Sequence, residues 1–333
     1  MDEMRAVVIT KPGDPEVLAI QRVSIRKPGR GEVRISVRAA GINRADLLQR
    51  RGLYPPPPGW PADIPGLEYA GEVEALGEGA DMWHVGDRVM GLVGGGGYAE
   101  YVVVPEREAI AIPERLSYEE AAAIPEVFIT AHDALFTQLG LGLGERLLIH
   151  AVGSGVGTAA LQLAKVAGAK VIGTSRAAWK LERARELGLD IGIDASQGHV
   201  AEAVRRATDG EGVDVILDLV GGSYLATNID ALAMKGRLII VGLTAGRSAE
   251  LDMGAVLRKR LHIVGTSLRM RSLEEKISAA LAFDWDVGEL LATGAVRPVV
   301  DRIFPMEDVV EAHRYMESNA NFGKLVLNMG HPH

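Results

Sequence analysis

The spacing of hydrophobic positions changes part way along the chain. In its first third, short runs mix β-branched residues with an alternation of polar and apolar positions, the period of a half-buried strand. These runs are Arg5–Ile9, Glu32–Ala39, Gly71–Ala75, Arg88–Leu92 and Ala99–Val103. Between them the proline-rich stretch Tyr54–Pro61 loses backbone donors and favours an extended course. The pattern predicts an all-β module in which the prolines form a surface loop.

From about Glu119 the pattern becomes an alternation of helical periods with nearly continuous apolar runs. Such alternation predicts a parallel, doubly wound sheet that is buried on both faces. The predicted strands are Arg146–His150, Lys170–Thr174, Ile191–Asp194, Val213–Asp218, Arg237–Gly242 and Leu261–Thr266. The predicted helices include Gly157–Ala167, Lys180–Leu187 and His199–Thr208.

The last stretch, Val296–Leu327, returns to a strand, helix and strand pattern. We therefore expect the C-terminus to rejoin the first module. The predicted fold class is α/β, with a β-rich domain from residues 1–125 and 296–333 and a parallel-sheet domain from residues 126–295. A chain of 333 residues also exceeds the size at which one hydrophobic core usually keeps growing.

Composition narrows the possible chemistry. The chain has no cysteine, which excludes disulfides, a cysteine nucleophile and thiolate zinc sites. A net charge of −8 without a basic stripe argues against nucleic acid as a partner. No run approaches the roughly 20 apolar residues of a membrane helix, and the N-terminus lacks the pattern of a signal peptide. We expect a cytoplasmic protein without a membrane partner.

A glycine-rich turn joins the strand ending at His150 to the helix that follows. Small residues at this place let a dinucleotide pyrophosphate approach the helix N-terminus, so we expect Ser154, Gly155, Val156 and Gly157 to bind it. Only the last glycine of the usual three-glycine fingerprint is in register. An ordinary strand-to-helix turn is therefore the alternative interpretation.

The end of the next strand indicates which nicotinamide cofactor binds. An NAD-selective site would place an acidic residue there, against the ribose 2′-hydroxyl. Here the chain reads Thr174-Ser175-Arg176, followed by Lys180. Hydroxyls and cations suit a 2′-phosphate, so NADPH is favoured over NADH. In the alternative interpretation, both cations are solvated residues at a helix start.

These residues resemble the zinc-independent quinone oxidoreductases of the medium-chain dehydrogenase/reductase superfamily, and within it the branch of the p53-inducible NADPH quinone oxidoreductases. The resemblance runs through nearly the whole chain. It rests on Ala40–Leu47, Gly52–Tyr54, Pro65–Glu68, Gly86–Val89, Ala121–Glu126, Gly153–Gly157, Asp218–Gly222 and Asn321–Val326. It implies a GroES-like catalytic domain, an inserted Rossmann domain, a cleft where they meet, and a homodimer that pairs the strand Leu261–Thr266 with its copy.

Two departures from the superfamily pattern are informative. Zinc-bearing alcohol dehydrogenases carry a cysteine near Asn43 and a histidine where this chain has Leu67. Because both ligands are missing, we expect no zinc and a structural role for Glu68. Ala195 stands where relatives can carry a tyrosine beside the adenine. The resemblance therefore does not define that part of the adenosine pocket.

The resemblance also implies contacts for the reacting part of the cofactor. Asn43 and Thr130 are expected beside the nicotinamide, and Tyr54 is expected to face the acceptor as a hydrogen-bond donor or proton source. Tyr54 as a packing aromatic, and Asn43 as a helix cap, are the alternatives. Further contacts are expected from Gly242, Leu243, Ser267, Leu268, Arg269, Asn321 and Lys324. Glu126 and His132 are expected to be a helix-start and a helix-surface residue.

Without a metal, the favoured reaction is hydride transfer to an electron-poor conjugated acceptor, with a hydrogen bond donated to the developing oxyanion. Together with the resemblance, this implies an NADPH-dependent quinone reductase. Two alternatives stay open at this point. One is reduction of 2-alkenals, enones or enoyl thioesters, and the other is a non-catalytic NADPH-binding protein.

Overall fold

The computed structural model describes residues 3–330. Its strands are β1 Glu3–Ile9, β2 Leu18–Ser24, β3 Glu32–Ile42, β4 Glu68–Leu76, β5 Arg88–Leu92, β6 Tyr101–Pro105, β7 Ala109–Ala111, β8 Arg146–Ile149, β9 Lys170–Ser175, β10 Ile191–Asp194, β11 Val213–Asp218, β12 Leu232–Ile240, β13 His262–Gly265, β14 Val300–Pro305 and β15 Lys324–Asn328. Its α-helices are α1 Arg44–Arg50, α2 Tyr118–Ala121, α3 Thr130–His132, α4 Gly155–Val166, α5 Ala178–Glu186, α6 Val200–Ala207, α7 Tyr224–Ala231, α8 Met253–Lys259, α9 Leu273–Thr293 and α10 Val309–Glu317.

Shorter helical segments lie between these elements. The 3₁₀ segments are Pro15–Val17, Glu106–Glu108, Ala195–Gln197 and Met306–Asp308. Two π-helical segments, Pro125–Ile129 and Asp133–Gln138, flank α3. In the part of the chain that the structure describes, no helix is long and apolar enough to span a bilayer.

The chain divides into two compact units. Unit 1 contains the residues up to Ile129 and those from Leu268 onward, and unit 2 is Thr130–Ser267. In unit 1, β1 and β2 form a two-stranded sheet, and a larger sheet has the order β14-β15-β3-β4-β5-β7, with β6 also paired to β3. The last strand, β15, is antiparallel to β3, so it belongs to the same sheet as the strands of the first module.

Unit 2 is a single parallel sheet in the order β10-β9-β8-β11-β12-β13. This order reverses direction between β8 and β11, the arrangement of a doubly wound dinucleotide-binding fold. Its strand centres are fully buried, for example Leu148, Ile172, Ile216 and Leu238. The predicted α/β fold, with one β-rich unit and one parallel-sheet unit, is confirmed.

The long helix α9 lies in unit 1, whereas the sequence pattern assigned residues up to 295 to the parallel-sheet domain. The helix packs against the segments Glu106–Glu108 and Pro125–Ile129. Arg107 and Glu274 join it to the first of these through two hydrogen bonds of 2.8 and 2.9 Å. A helix that follows a parallel strand looks in sequence like one more crossover, so only these contacts reveal where it packs.

Candidate active site

The glycine-rich turn of unit 2 follows β8 and leads directly into α4. Ser154 is the N-cap of α4, and its side-chain oxygen accepts a hydrogen bond from the Gly157 N–H at 3.1 Å. A Cβ at Gly157 would lie 2.6 Å from the Ala151 carbonyl oxygen and 2.7 Å from that of Val152. Glycine is therefore required here by the backbone of the turn itself.

This turn fits the phosphates of a dinucleotide. The first-turn N–H groups of a helix have no intrahelical acceptor, and the helix dipole adds a partial positive charge at the same end. In α4 the first two positions are Gly155 and Val156, so small or β-branched side chains flank these donors. These are the features that a dinucleotide pyrophosphate requires at a helix N-terminus.

A network of buried, hydrogen-bonded side chains lies under this turn. Asp218 accepts from the Asn228 side-chain amide at 2.8 Å, so the Asn228 carbonyl oxygen faces His150 Nε2 at 2.6 Å. His150 Nε2 must then donate, which leaves Nδ1 to accept from the Thr174 hydroxyl at 3.0 Å. This network connects the ends of β8, β9 and β11. Burial lowers the pKa of His150, which keeps the imidazole neutral.

Lowering the pH below about 6.5, the ordinary pKa of histidine, is expected to destabilise the protein through His150. The unfolded chain then gains a proton that the buried imidazole does not accept, so the folded state loses up to about 1.4 kcal/mol per pH unit. Urea unfolding of the wild type and of His150→Gln at several pH values measures this slope. The matched control is His84→Gln, because the His84 side chain is exposed; equal slopes in both variants would refute a titrating His150.

The end of β9 presents the residues expected at a 2′-phosphate. Arg176 is exposed and forms no hydrogen bond or ion pair with the residues that the structure describes. Lys180 is half-buried, and its ammonium lies 5.3 Å from the centroid of the Trp179 ring. Ser175 is buried, and its hydroxyl accepts from the Ala177 N–H at 3.1 Å. The Thr174 side chain is buried and engaged by His150, so it supports the strand end from inside.

The remaining predicted contacts of unit 2 lie on separate loops and helix starts. Thr130 is buried in the first turn of α3, whereas Ser267 is exposed. Gly242 follows β12, and a Cβ there would lie 2.3 Å from the Leu219 carbonyl oxygen. Leu243 is exposed. His132 is buried, so its expected place on a helix surface is wrong: the segment that carries it lies inside unit 2.

Unit 1 contains a buried polar cluster formed by Asn43, Glu68 and Lys324. The Lys324 ammonium donates to Glu68 Oε1 at 2.6 Å, to Asn43 Oδ1 at 2.6 Å and to the Ile42 carbonyl oxygen at 2.9 Å. Asn43 Nδ2 donates to the same Glu68 oxygen at 2.7 Å. Glu68 is fully buried, and the Lys324 side chain is 3% exposed. All three ammonium hydrogens are therefore used within the protein, and the amide of Asn43 has a fixed orientation.

Asp46 holds the backbone of Asn43. Asn43 is the N-cap of α1 and forms a capping box with Asp46. Its N–H donates to Asp46 Oδ2 at 2.7 Å, and the Tyr98 hydroxyl donates to that oxygen at 2.9 Å. Burial raises the pKa of Asp46 to about 6. Asn43 thus caps the helix and also takes part in the cluster.

The donor set of this cluster does not fit a zinc ion. Residues 3–330 contain no group of three histidine, cysteine or acidic side chains placed to hold a metal. The oxygens of Glu68 and Asn43 that point into the cluster are already bound to an ammonium group. The positive charge of the Lys324 ammonium, hydrogen-bonded to both oxygens, would repel a divalent cation placed there.

Arg269 holds the loop that carries Tyr54. Its guanidinium donates to the Tyr54 carbonyl oxygen at 3.0 Å, to the Gln49 side chain at 2.6 Å and to the Gly94 carbonyl oxygen at 2.7 and 3.0 Å. It also lies over the Tyr54 ring, 4.7 Å from the ring centroid. Arg269 and its neighbour Leu268 are buried. The Tyr54 side chain is half-buried, so the loop is held while the phenol keeps access to solvent.

Asn321 belongs to the turn before β15. Its side-chain amide donates to the Gly323 carbonyl oxygen at 2.9 Å, and the residue is buried. Lys324 directly follows Gly323 and enters the buried cluster. Asn321 therefore shapes the turn that delivers Lys324.

Two carboxyl groups of unit 1 were not recognised as chemical candidates from the sequence. Burial raises the pKa of Glu126 to about 8, and the nearby charge of Glu68 adds to the effect. Burial also raises the pKa of Glu108 to about 7. Glu126 lies in a π-helical segment, not at the start of an ordinary helix. In the sequence, Glu126 stands out only because it lies four residues before Thr130, a predicted nicotinamide contact. The sequence does not show that its carboxyl group is desolvated.

Comparisons with known proteins identify two family domains in the chain. Residues 29–114 match the family described as alcohol dehydrogenase GroES-like domain, and residues 155–283 match the family described as zinc-binding dehydrogenase. A quinone oxidoreductase of Rattus norvegicus is 31% identical over 334 residues, which cover 97% of each chain.

Two further proteins show the range of the similarity. A quinone oxidoreductase of Pseudomonas aeruginosa is 33% identical over 316 residues, covering 95% of this chain and 96% of its own. The crystal structure of the CurK enoyl reductase matches with a TM-score of 0.87 at 28% identity, over 99% of this chain and 100% of that one.

Proposed function

Since the chain belongs to the quinone oxidoreductase branch of the medium-chain dehydrogenase/reductase superfamily, we propose that it reduces quinones with NADPH and without zinc. The observation that carries this proposal is the Lys324 ammonium bound to Glu68 and Asn43. It occupies the oxygens of the cluster that a Lewis-acid metal would need. An acceptor that is already electron-poor, such as a quinone, accepts hydride without such a metal.

The residues proposed to hold NADPH follow from the geometry of the two units. The turn of Ser154, Gly155, Val156 and Gly157 binds the pyrophosphate. The close packing of Gly157 against two backbone carbonyl oxygens supports this assignment. Ser175, Arg176 and Lys180 bind the 2′-phosphate, with Thr174 supporting them. Residues proposed to contact the nicotinamide or its ribose are Asn43, Thr130, Gly242, Leu243, Ser267, Leu268 and Asn321. When bound, NADPH supplies the hydride.

Tyr54, Arg269 and Lys324 have distinct roles in this proposal. The Tyr54 hydroxyl donates a hydrogen bond to the acceptor oxygen, which stabilises the charge that develops there. Arg269 keeps Tyr54 in place through the loop carbonyl and the ring face. Lys324 acts through Asn43, because its three hydrogens are already donated to protein oxygens.

Arg176→Ala is expected to raise the Kd for NADPH about tenfold while leaving that for NADH unchanged. A solvent-exposed, charge-assisted contact contributes about 1–2 kcal/mol, and only NADPH carries the 2′-phosphate. Fluorescence titration of both cofactors measures the change. Arg183→Ala, a cation further along α5, serves as the control. Equal weakening for both cofactors would contradict this role of Arg176.

Turnover separates the candidate functions. NADPH oxidation is followed with 1,2-naphthoquinone or 9,10-phenanthrenequinone, beside NADH, a chelator and a set of 2-alkenals. Chelator-insensitive quinone turnover that prefers NADPH supports the proposal. A preference for alkenals of over about a hundredfold would favour the enone reductase, which the similarity to an enoyl reductase makes the second candidate. Thermal stabilisation by NADPH without any turnover would leave a binding protein.

The proposed assembly is a homodimer formed through β13. This strand is an edge of its sheet, since it pairs with β12 alone among the described strands. An edge strand offers unpaired backbone groups to a second copy. The neighbouring helix α8 exposes Met253 and Leu257, which adds apolar surface beside that edge.

A further inference from the structure

A small cavity lies inside unit 1, between the Glu106–Glu108 segment, the Pro125–Ile129 segment and the start of α9. Its volume is about 10 Å³, which is the lower limit for one water molecule. The charged residues on its wall are Glu108, Glu126, Arg269 and Lys276. The rest of the wall is apolar, with leucine and valine side chains.

The two carboxyl side chains on this wall have no hydrogen-bonding partner within residues 3–330. Glu108 is only 4% exposed, yet its side chain accepts no hydrogen bond from any residue within 3–330. The Glu126 side chain, which is half-buried, accepts none there either. Buried carboxylates are normally paired or hydrogen-bonded. A carboxyl group that faces a water-sized cavity without a protein partner can instead hold and pass on a proton.

The Glu126 backbone also contacts the polar cluster that contains Asn43. Its backbone N–H donates to Glu68 Oε2 at 2.8 Å, and the other oxygen of Glu68 accepts from Asn43. On the cavity wall it is joined by Arg269, whose guanidinium lies over the Tyr54 ring. The acid and the proposed acceptor-binding residues thus share neighbours within one unit.

We propose that Glu126 is the proton donor of the reductase, and that Glu108 and a water molecule in the cavity return a proton to it from solvent. This inference rests on the proposed function. The acceptor takes up one hydride, hence two electrons and one hydrogen nucleus, and becomes a hydroquinone anion. The Glu126 O–H bond then breaks, its proton forms an O–H bond on that anion, and the carboxylate recovers a proton through water from Glu108.

The charges around Glu126 are consistent with this role. Burial and the carboxylates of Glu68 and Asp46 favour its protonated form, whereas Lys324 and Arg269 oppose it. The balance raises the pKa of Glu126 to about 8, so the group is protonated at neutral pH. Lys276 faces Glu108 and opposes the effect of its burial, which raises the Glu108 pKa to about 7. Both carboxyl groups therefore favour the protonated form, as a proton relay between them requires.

The experiment compares Glu126→Gln and Glu108→Gln with Glu106→Gln in the full-length protein. Glu106 lies in the same 3₁₀ segment as Glu108 and is buried, but its carboxylate accepts from the N–H groups of Asp81 and Met82. The amide oxygen of glutamine can keep those bonds. We expect Glu126→Gln to lower kcat with quinones by about 100-fold or more, the usual contribution of a general acid. The Kd for NADPH should stay unchanged, and Glu106→Gln should keep wild-type kcat.

Two further readouts distinguish a proton donor from a structural residue. Wild-type kcat should fall as the pH rises through about 8 and show a solvent deuterium isotope effect, and Glu126→Gln should lose both. Independently of turnover, the wild-type infrared spectrum should contain a protonated-carboxyl component that titrates at about pH 8, above those of Asp46 and Glu108. This component alone should be absent from Glu126→Gln. Glu126→Asp keeps an ionisable group and should recover part of kcat.

The outcomes separate the two proposals. If the wild type reduces quinones but Glu126→Gln is as active as Glu106→Gln, the proton-donor role is overturned while the reductase stands. If the wild type reduces no quinone, the proposed function fails, and the role assigned here falls with it even where the infrared band is present. Should Glu126→Gln not fold, the pH profile of Glu126→Asp decides: an unchanged profile contradicts the inference.

Discussion

Replacing Lys324 by methionine is expected to lower the free energy of unfolding of unit 1 by about 3–5 kcal/mol, the usual cost of removing one partner from a buried ion pair. The variant leaves the fully buried Glu68 carboxylate without its ammonium partner. It also removes a hydrogen bond from the Asn43 side chain and another from the Ile42 carbonyl oxygen. Urea unfolding followed by circular dichroism measures the loss.

A double variant tests the physical cause of that loss. Glu68→Gln combined with Lys324→Met removes both charges, and replacing a whole buried pair is often nearly neutral. We therefore expect the double variant to recover most of the stability. If it is as unstable as Lys324→Met alone, an unpaired buried charge is not the cause.

An exposed lysine provides the comparison for this substitution. Lys165 pairs with Asp190 at 2.8 Å, but both side chains are partly exposed. Lys165→Met should cost no more than about 1 kcal/mol, as is usual for surface ion pairs. A similar cost for Lys165→Met and Lys324→Met would show that burial does not set the energy of the cluster.

Gly157→Ala is expected to weaken NADPH binding by up to about 100-fold, with a smaller loss of stability. The new Cβ would lie within 2.7 Å of two carbonyl oxygens of the turn, and backbone atoms cannot rotate away as side chains do. Relieving the overlap moves the turn, so much of the overpacking energy of about 1–3 kcal/mol appears as lost affinity, at tenfold for each 1.4 kcal/mol. Fluorescence titration with NADPH measures the affinity.

Gly142→Ala is the matched control for the turn. It lies in the loop before β8 of the same unit, and its Cβ would meet only the Glu145 carboxylate, at an ordinary 3.6 Å. This variant should bind NADPH like the wild type. If Gly157→Ala did so too, the phosphates could not rest against the turn of α4, and the site proposed for them would have to move.

Local patterns in the sequence determined the architecture and the cofactor turn. Strand and helix periods, glycine spacing and the absence of cysteine act over a few residues at a time. They were sufficient to predict the two units, the parallel sheet and the strand-to-helix turn at Gly157. The same local reasoning assigned α9 to the wrong neighbours in space, because a helix after a parallel strand has the same pattern wherever it packs.

Tertiary structure alone decided which side chains meet and how charged they are. Lys324 binds Asn43 across 281 residues of chain and Glu68 across 256, and Arg269 reaches Tyr54 across 215. Proton affinity depends on burial and on nearby charge, so the raised pKa values of Glu108 and Glu126 leave no trace in residue order. Residue types and spacing determine elements, whereas pairing and desolvation exist only once the elements have packed.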